Sequence, residues 1–156
     1  MENTSDGYWK STKIDVEQDM PFEQIAFPDV GCTGGMGPCI GVGIYCKKLN
    51  KGFLIHISTP SNPNQSDDQL NKMCKAAVDA FKDQRIEILV AGGEVMPDED
   101  GDTRFSDDKR ASVLFIIKKY FPRHKAIVNW TEVADSTALT TIDTVMRRMN
   151  QEEVDF

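Results

Sequence analysis

The sequence predicts an α+β protein: a layered α/β sandwich with a mixed central β-sheet and flanking helices. Three observations lead there. Two glycine-punctuated apolar runs, "CIGVGIYCK" and "GFLIHIS", are separated by a short turn, as in an antiparallel hairpin. Two segments with apolar residues three and four apart each precede a further strand-like run, the alternation that builds layers. With 156 residues, 40 % of them hydrophobic and 28 % charged, the chain suits one domain, residues 1–156, around one sizeable core.

The N-terminal stretch, "MENTSDGYWKSTKIDVEQD", is polar and acidic, and residues 1–20 are expected to be loosely ordered. It has neither the basic n-region nor the apolar h-region of a secretory signal, so a cytoplasmic location is expected. Secretion through a dedicated apparatus is the alternative. "TKIDVEQ" and "EQIAF" read as short strands before a turn at Pro28 and Asp29. Cys39 to Lys47 reads as a buried strand whose glycines mark a close approach to the backbone. "KLNKG" is a turn in which Asn50 and Gly52 suit positive φ, and Gly52 to Ser58 is the second strand. The breaker-rich "TPSNPNQSDD" ends in a helix start, with Ser66 as cap and Asp67 and Asp68 in the first turn. Leu70, Met73, Cys74, Ala77, Val78 and Phe81 then share one helix face. "RIEILVAGG" is a strand buried on both faces. Ser106 begins a second helix that stops before Pro122, and "KAIVNW" is a further strand. "STALTTIDTVMRRMN" fits either state: Leu139, Ile142, Met146 and Met149 keep helical spacing, whereas the threonines suit a strand.

A formal net charge of −7 argues against nucleic acid or an anionic membrane as partner. No apolar run reaches the length of a span, so membrane insertion is not expected. The four cysteines include Cys32, Cys39 and Cys46 at intervals of seven, which matches neither a disulfide framework nor a zinc pattern. They read as free thiols. Met96 to Asp108 is dense in carboxylates, but its glycine falls at the fourth position from Asp98 rather than the sixth that a calcium loop needs. That segment reads as a solvated loop. No metal or organic cofactor is implied.

The chemistry concentrates at "TGGMGPC", which sets Cys39 at the mouth of the first hairpin strand. A cysteine nucleophile needs a base, donors for a developing oxyanion, and a group that orients the base. There are two histidines. His124, in "FPRHKAIV", looks solvent-facing; His56 sits in the apolar "FLIHIST", where a polar ring needs a reason. Antiparallel pairing returns His56 toward Cys39, where thiol and imidazole could form a thiolate–imidazolium pair. Backbone N–H groups at Gly37 and Cys39 are the candidate oxyanion donors, since Pro38 has none. Gly35, Ser58 and Thr59 flank these groups and are the candidate substrate contacts.

These residues resemble a family. "TGGMGPCIGV" followed by "HISTP" is similar to the chemoreceptor glutamine deamidases, the CheD family, which share their Cys–His architecture with deamidating toxins of the cytotoxic necrotizing factor type. The resemblance implies Cys39 as nucleophile, His56 seventeen positions later as base, and Thr33 six positions before the cysteine as the residue orienting His56. It implies a hydrolase that converts an exposed protein glutamine to glutamate through a thioester, without a cofactor. The implied substrate is a chemoreceptor or another signalling protein, with a regulatory partner of the chemotaxis phosphatase type. "ILVAGGEVM" is similar to the family's central strand with its paired glycines. Pro38 stands where the family carries serine. The alternatives are an effector that deamidates a host protein and a noncatalytic adaptor that binds a signalling partner.

Overall fold

The computed structural model describes residues 2–3, 9–18, 20–58, 63–132 and 136–155. Its centre is the hairpin. Asn50 adopts φ 52° in the turn, and strands β6 (Ile40–Cys46) and β7 (Lys51–Ile57) pair antiparallel from Cys46 opposite Lys51 to Ile40 opposite Ile57. Gly52, also read as a positive-φ position, lies instead in β7. There its bare Cα makes room for Ile142, whose Cδ1 would be 2.7 Å from an added Cβ. Strand β4 (Glu23–Ala26) adds to β7; β8 (Glu87–Gly92) adds antiparallel to β6, and β9 (Ile127–Trp130) adds parallel to β8. The result is a five-stranded mixed sheet, ordered β4-β7-β6-β8-β9.

The two-residue period of these strands feeds two different cores. On one face Ile40, Val42, Ile44, Phe53, Ile55 and Ile57 pack against helices α1 (Pro63–Phe81) and α2 (Arg104–Tyr120). Phe53 stacks edge-on between Phe22 and Phe81, with ring centroids 5.9 and 5.6 Å away. The buried stripe of α1 is Leu70, Met73, Cys74, Ala77 and Phe81. Val78, read as part of it, falls one step round the helix and is 37 % exposed. Ser66 is not the cap either: α1 starts at Pro63, whose fixed φ and missing N–H suit a first helical position. Likewise α2 starts at Arg104, so Ser106 lies inside it and accepts the Met96 N–H at 3.0 Å.

The other face of the sheet is covered by a second sheet, where the expected architecture had flanking helices. Its strands are β3 (Lys13–Asp15), β5 (Val30–Met36), β10 (Ser136–Asp143) and β11 (Arg148–Asp155), in the order β11-β10-β5-β3. The ambiguous C-terminal stretch is therefore a hairpin. Between the sheets lie Val16, Ile25, Tyr45, Leu54 and Ile142, and beside them Met36, Ala91 and Ala138. The glycines of β6 let the layers meet: a Cβ on Gly41 would sit 2.2 Å from Met36 Sδ, and one on Gly43 would sit 2.7 Å from Met149 Sδ.

The described residues of the N-terminal stretch include three short strands. Short strands β1 (Glu2–Asn3) and β2 (Trp9–Lys10) pair with each other, and β3 runs parallel to β5. Val16 is 2 % exposed, and its N–H donates to the Cys32 carbonyl at 2.8 Å. The open edge of β5 captures this segment. Among the described residues, no helix is long and apolar enough to cross a membrane.

Candidate active site

Thr33 and His56 come from different sheets. In β7, Leu54 and His56 face the second sheet, and Thr33 of β5 meets the imidazole there, with Oγ1 2.8 Å from Nδ1. The Thr33 hydroxyl also donates to the Val16 carbonyl. A hydroxyl has one proton, and here it is committed to Val16. Thr33 Oγ1 must therefore accept from an Nδ1–H, which leaves Nε2 as the basic nitrogen. Both residues are buried, Thr33 at 2 % exposure and His56 at 7 %. A structural histidine needs only satisfied nitrogens; this one also has a fixed tautomer.

Cys39 immediately precedes β6. His56 is directly opposite Gly41, and Cys39 stands two residues before Gly41, on the same face by strand alternation. Such diagonal neighbours lie about 7 Å apart, within side-chain reach, and Gly41 has no side chain to intervene. Two backbone bonds from the end of β8 hold the approach to the cysteine. The Gly93 N–H donates to the Cys39 carbonyl and the Glu94 N–H to the Gly37 carbonyl, both at 2.8 Å. Arg110 braces this clamp, donating from Nε to the Gly93 carbonyl at 2.7 Å while its guanidinium lies over the Trp130 ring at 4.8 Å. Gly37 departs from the expectation: its own N–H donates to the Gly35 carbonyl at 3.2 Å and so serves the turn rather than an oxyanion.

A cleft of about 450 Å3 opens over His56, lined by Asp15, Val16, Glu17, Gln18, Gly34 and Gly35 as well. Gly35, at φ 68°, thus lies where a substrate contact was expected. Ser58 does not: it is 6 % exposed at the end of β7 and outside the lining. Thr59 lies outside the described residues. The Cys39 thiol, 7 % exposed, contacts Gln18 Oε1 at 3.5 Å, so Gln18 both lines the cleft and touches the sulfur.

All four cysteines are buried thiols outside any disulfide. Burial, reinforced by a 3.0 Å hydrogen bond to the Asp15 carboxylate, raises the Cys32 thiol to about 11. Burial alone raises Cys74 to about 12. At pH 7.5 fewer than about one in a thousand of either thiol is ionised. Limited iodoacetamide at that pH is accordingly expected to label Cys39 ahead of Cys32 and Cys74, and ahead of Cys46 because that thiol is wholly buried, as read by peptide mapping. Equal labelling would remove the case for an activated thiol. The same raised values make alkali destabilising. The unfolded thiols ionise near 9.0 while the folded ones hold their protons, so stability should fall as pH rises from there toward 11 and 12.

Other sequence readings fall outside this group. His124 is half-buried, edge-on to Phe121 at 6.1 Å, rather than solvent-facing. Asp98 accepts the N–H groups of Asp100 and Asp102 at 2.9 and 2.8 Å, closing its own loop. Sequence reasoning missed the Val16 carbonyl and Gln18. The paired glycines at the end of β8 were the one visible sign of the clamp. No protein-family model matches the sequence, and no curated protein matches it.

Proposed function

We propose that the protein is a cysteine-dependent protein-glutamine deamidase. The observation that carries this reading is the Thr33–His56 hydrogen bond, with the hydroxyl proton fixed on Val16, and a thiol immediately before the neighbouring strand. His56 takes the Cys39 proton at Nε2, and the resulting imidazolium keeps Nδ1–H on Thr33. The thiolate attacks the carboxamide carbon of a substrate glutamine, and the Cys39 N–H steadies the tetrahedral oxyanion. As the C–N bond breaks, the imidazolium protonates the leaving ammonia. Water, deprotonated by His56, then opens the thioester to give glutamate and the starting thiol. Only the motif resemblance points to chemoreceptors as the substrate. The direct test is mass spectrometry of glutamine-bearing proteins and peptides incubated with the native chain. A gain of about one mass unit on glutamine, as expected for exchange of NH2 for OH, supports the reading. Its absence across a broad peptide panel, with ammonia release at blank level, removes it.

Thr33→Val keeps the shape and deletes the hydroxyl. It is expected to lower kcat by roughly 10²-fold with little change in KM, while Thr33→Ser recovers most of the loss. A fall confined to KM would show that Thr33 does not act through His56.

The rim adds selectivity. Asp15 and Glu17 line the cleft, and exposed Lys13 lies 3.9 Å from Asp15. Glutamines flanked by lysine should react several-fold faster than those flanked by glutamate, with the gap closing in about 0.5 M salt as the charges are screened. A salt-independent ratio near one would overturn this.

A further inference from the structure

The chain already presents one carboxamide to its own thiol. Gln18 Oε1 lies 3.5 Å from Cys39 Sγ, in hydrogen-bond contact through sulfur. The residue is exposed, yet its side chain turns inward to the cleft rather than out to water. The strap that carries it is anchored two residues earlier, where Val16 donates to Cys32 and accepts from Thr33. The residue that orients the base therefore also fixes the segment that delivers this glutamine. A tethered carboxamide at this distance needs only a side-chain rotation to bring its carbon onto the sulfur, and tethering gives it a high effective concentration.

We propose that Gln18 is a substrate in cis, deamidated once by Cys39 to glutamate. This rests on the deamidase reading above and adds a modification site to it. The thiolate bonds to the Gln18 Cδ, and the C–N bond breaks with its electron pair leaving on nitrogen. His56 supplies the proton that releases ammonia. Water then adds to the acyl carbon, the C–S bond breaks, and the thiol is restored beside a new glutamate carboxylate at position 18. The net reaction is carboxamide plus water to carboxylate plus ammonium, with no oxidant or reductant. The product places a negative charge against the sulfur, which disfavours thiolate. The first turnover thus converts a fresh protein into a slower one, and until then Gln18 competes with external glutamines for the sulfur.

The experiment follows Gln18 and Gln24 together, because no lysine or arginine separates them and both fall in one tryptic peptide. Native protein, Cys39→Ala and native protein blocked with iodoacetamide are incubated at several concentrations. Peptides are sequenced by fragmentation, and ammonia release from glutamine peptides is measured alongside. The expected result is a gain of about one mass unit at Gln18 and none at Gln24, as hydrolysis of one carboxamide requires. It should occur in native protein only, at a rate independent of protein concentration. Conversion already complete on purification, with Gln18 intact in Cys39→Ala, is the same result. An intact Gln18 in protein that does release ammonia from peptides overturns the proposal and leaves the deamidase reading standing. Conversion of Gln18 in Cys39→Ala to the extent seen in native protein, or a rate that rises with protein concentration, also overturns it. If neither Gln18 nor any peptide is deamidated, the deamidase reading falls and this inference falls with it.

Discussion

Cys39→Ser is expected to leave a folded protein whose glutamine-deamidating rate has dropped by on the order of 10⁴-fold or more, the scale seen when a covalent nucleophile is lost. The substitution is close to isosteric at a site 7 % exposed, so packing changes little. What changes is acidity. A serine hydroxyl ionises far above a thiol, and a neutral imidazole oriented by a threonine, rather than by a carboxylate, is a weak base for it. Ammonia release and peptide mass measure the rate, and circular dichroism with thermal melting confirms the fold. Retention of a tenth of the native rate would show that the sulfur is not the nucleophile.

The largest structural penalty is expected at Gly92. It adopts φ 85°, and a Cβ there would lie 2.3 Å from the Cys39 carbonyl oxygen and 2.9 Å from Met36 Cβ. Neither neighbour is the loose end of a side chain. The carbonyl is the acceptor that Gly93 uses to hold the nucleophile's backbone. Gly92→Ala must move that backbone or move β8, and we expect a loss of about 3 kcal/mol or more. That is a drop in Tm of roughly 10 °C for a domain of this size. The surviving folded fraction should also be slow, because displacing the Cys39 carbonyl displaces its N–H and sulfur. Gly101→Ala is the matched control: it has φ 79° but nothing within 4 Å of an added Cβ. Backbone strain alone should cost it about 1 kcal/mol with no effect on rate. Equal losses in the two variants, read by thermal melting, would refute the clash argument.

Much of this site was legible because a hairpin converts spacing into proximity. With Asn50 at the turn, residues 39 and 56 must return to the same end of the sheet, whatever the rest of the chain does. Strand β5 was not legible. "VGCTGGM" has three glycines in seven residues and poor strand propensity, and it is extended because β3 and β10 pair with it on both sides. The C-terminal hairpin was ambiguous for a related reason. Leu139, Ile142 and Met149 fit a helical period, but Thr140 opposite Thr33 and Thr141 opposite Cys32 show tertiary pairing deciding the state. The Val16 carbonyl had no signal at all, since any residue supplies one. Gln18 stood in a segment whose polarity resembled an unstructured leader, and only the β3–β5 pairing brings it to the sulfur.

Because threonine and histidine belong to separate layers, their contact gauges how well those layers are docked. Beside the site only the short Gly37–Cys39 link joins β5 to β6, and from there the seam is held by packing, with Met36, Ala91 and Ala138 at its core. Mild denaturant should therefore silence turnover while both layers still give their full circular-dichroism signal. A catalytic assay would then sense slippage too small for spectroscopy to see.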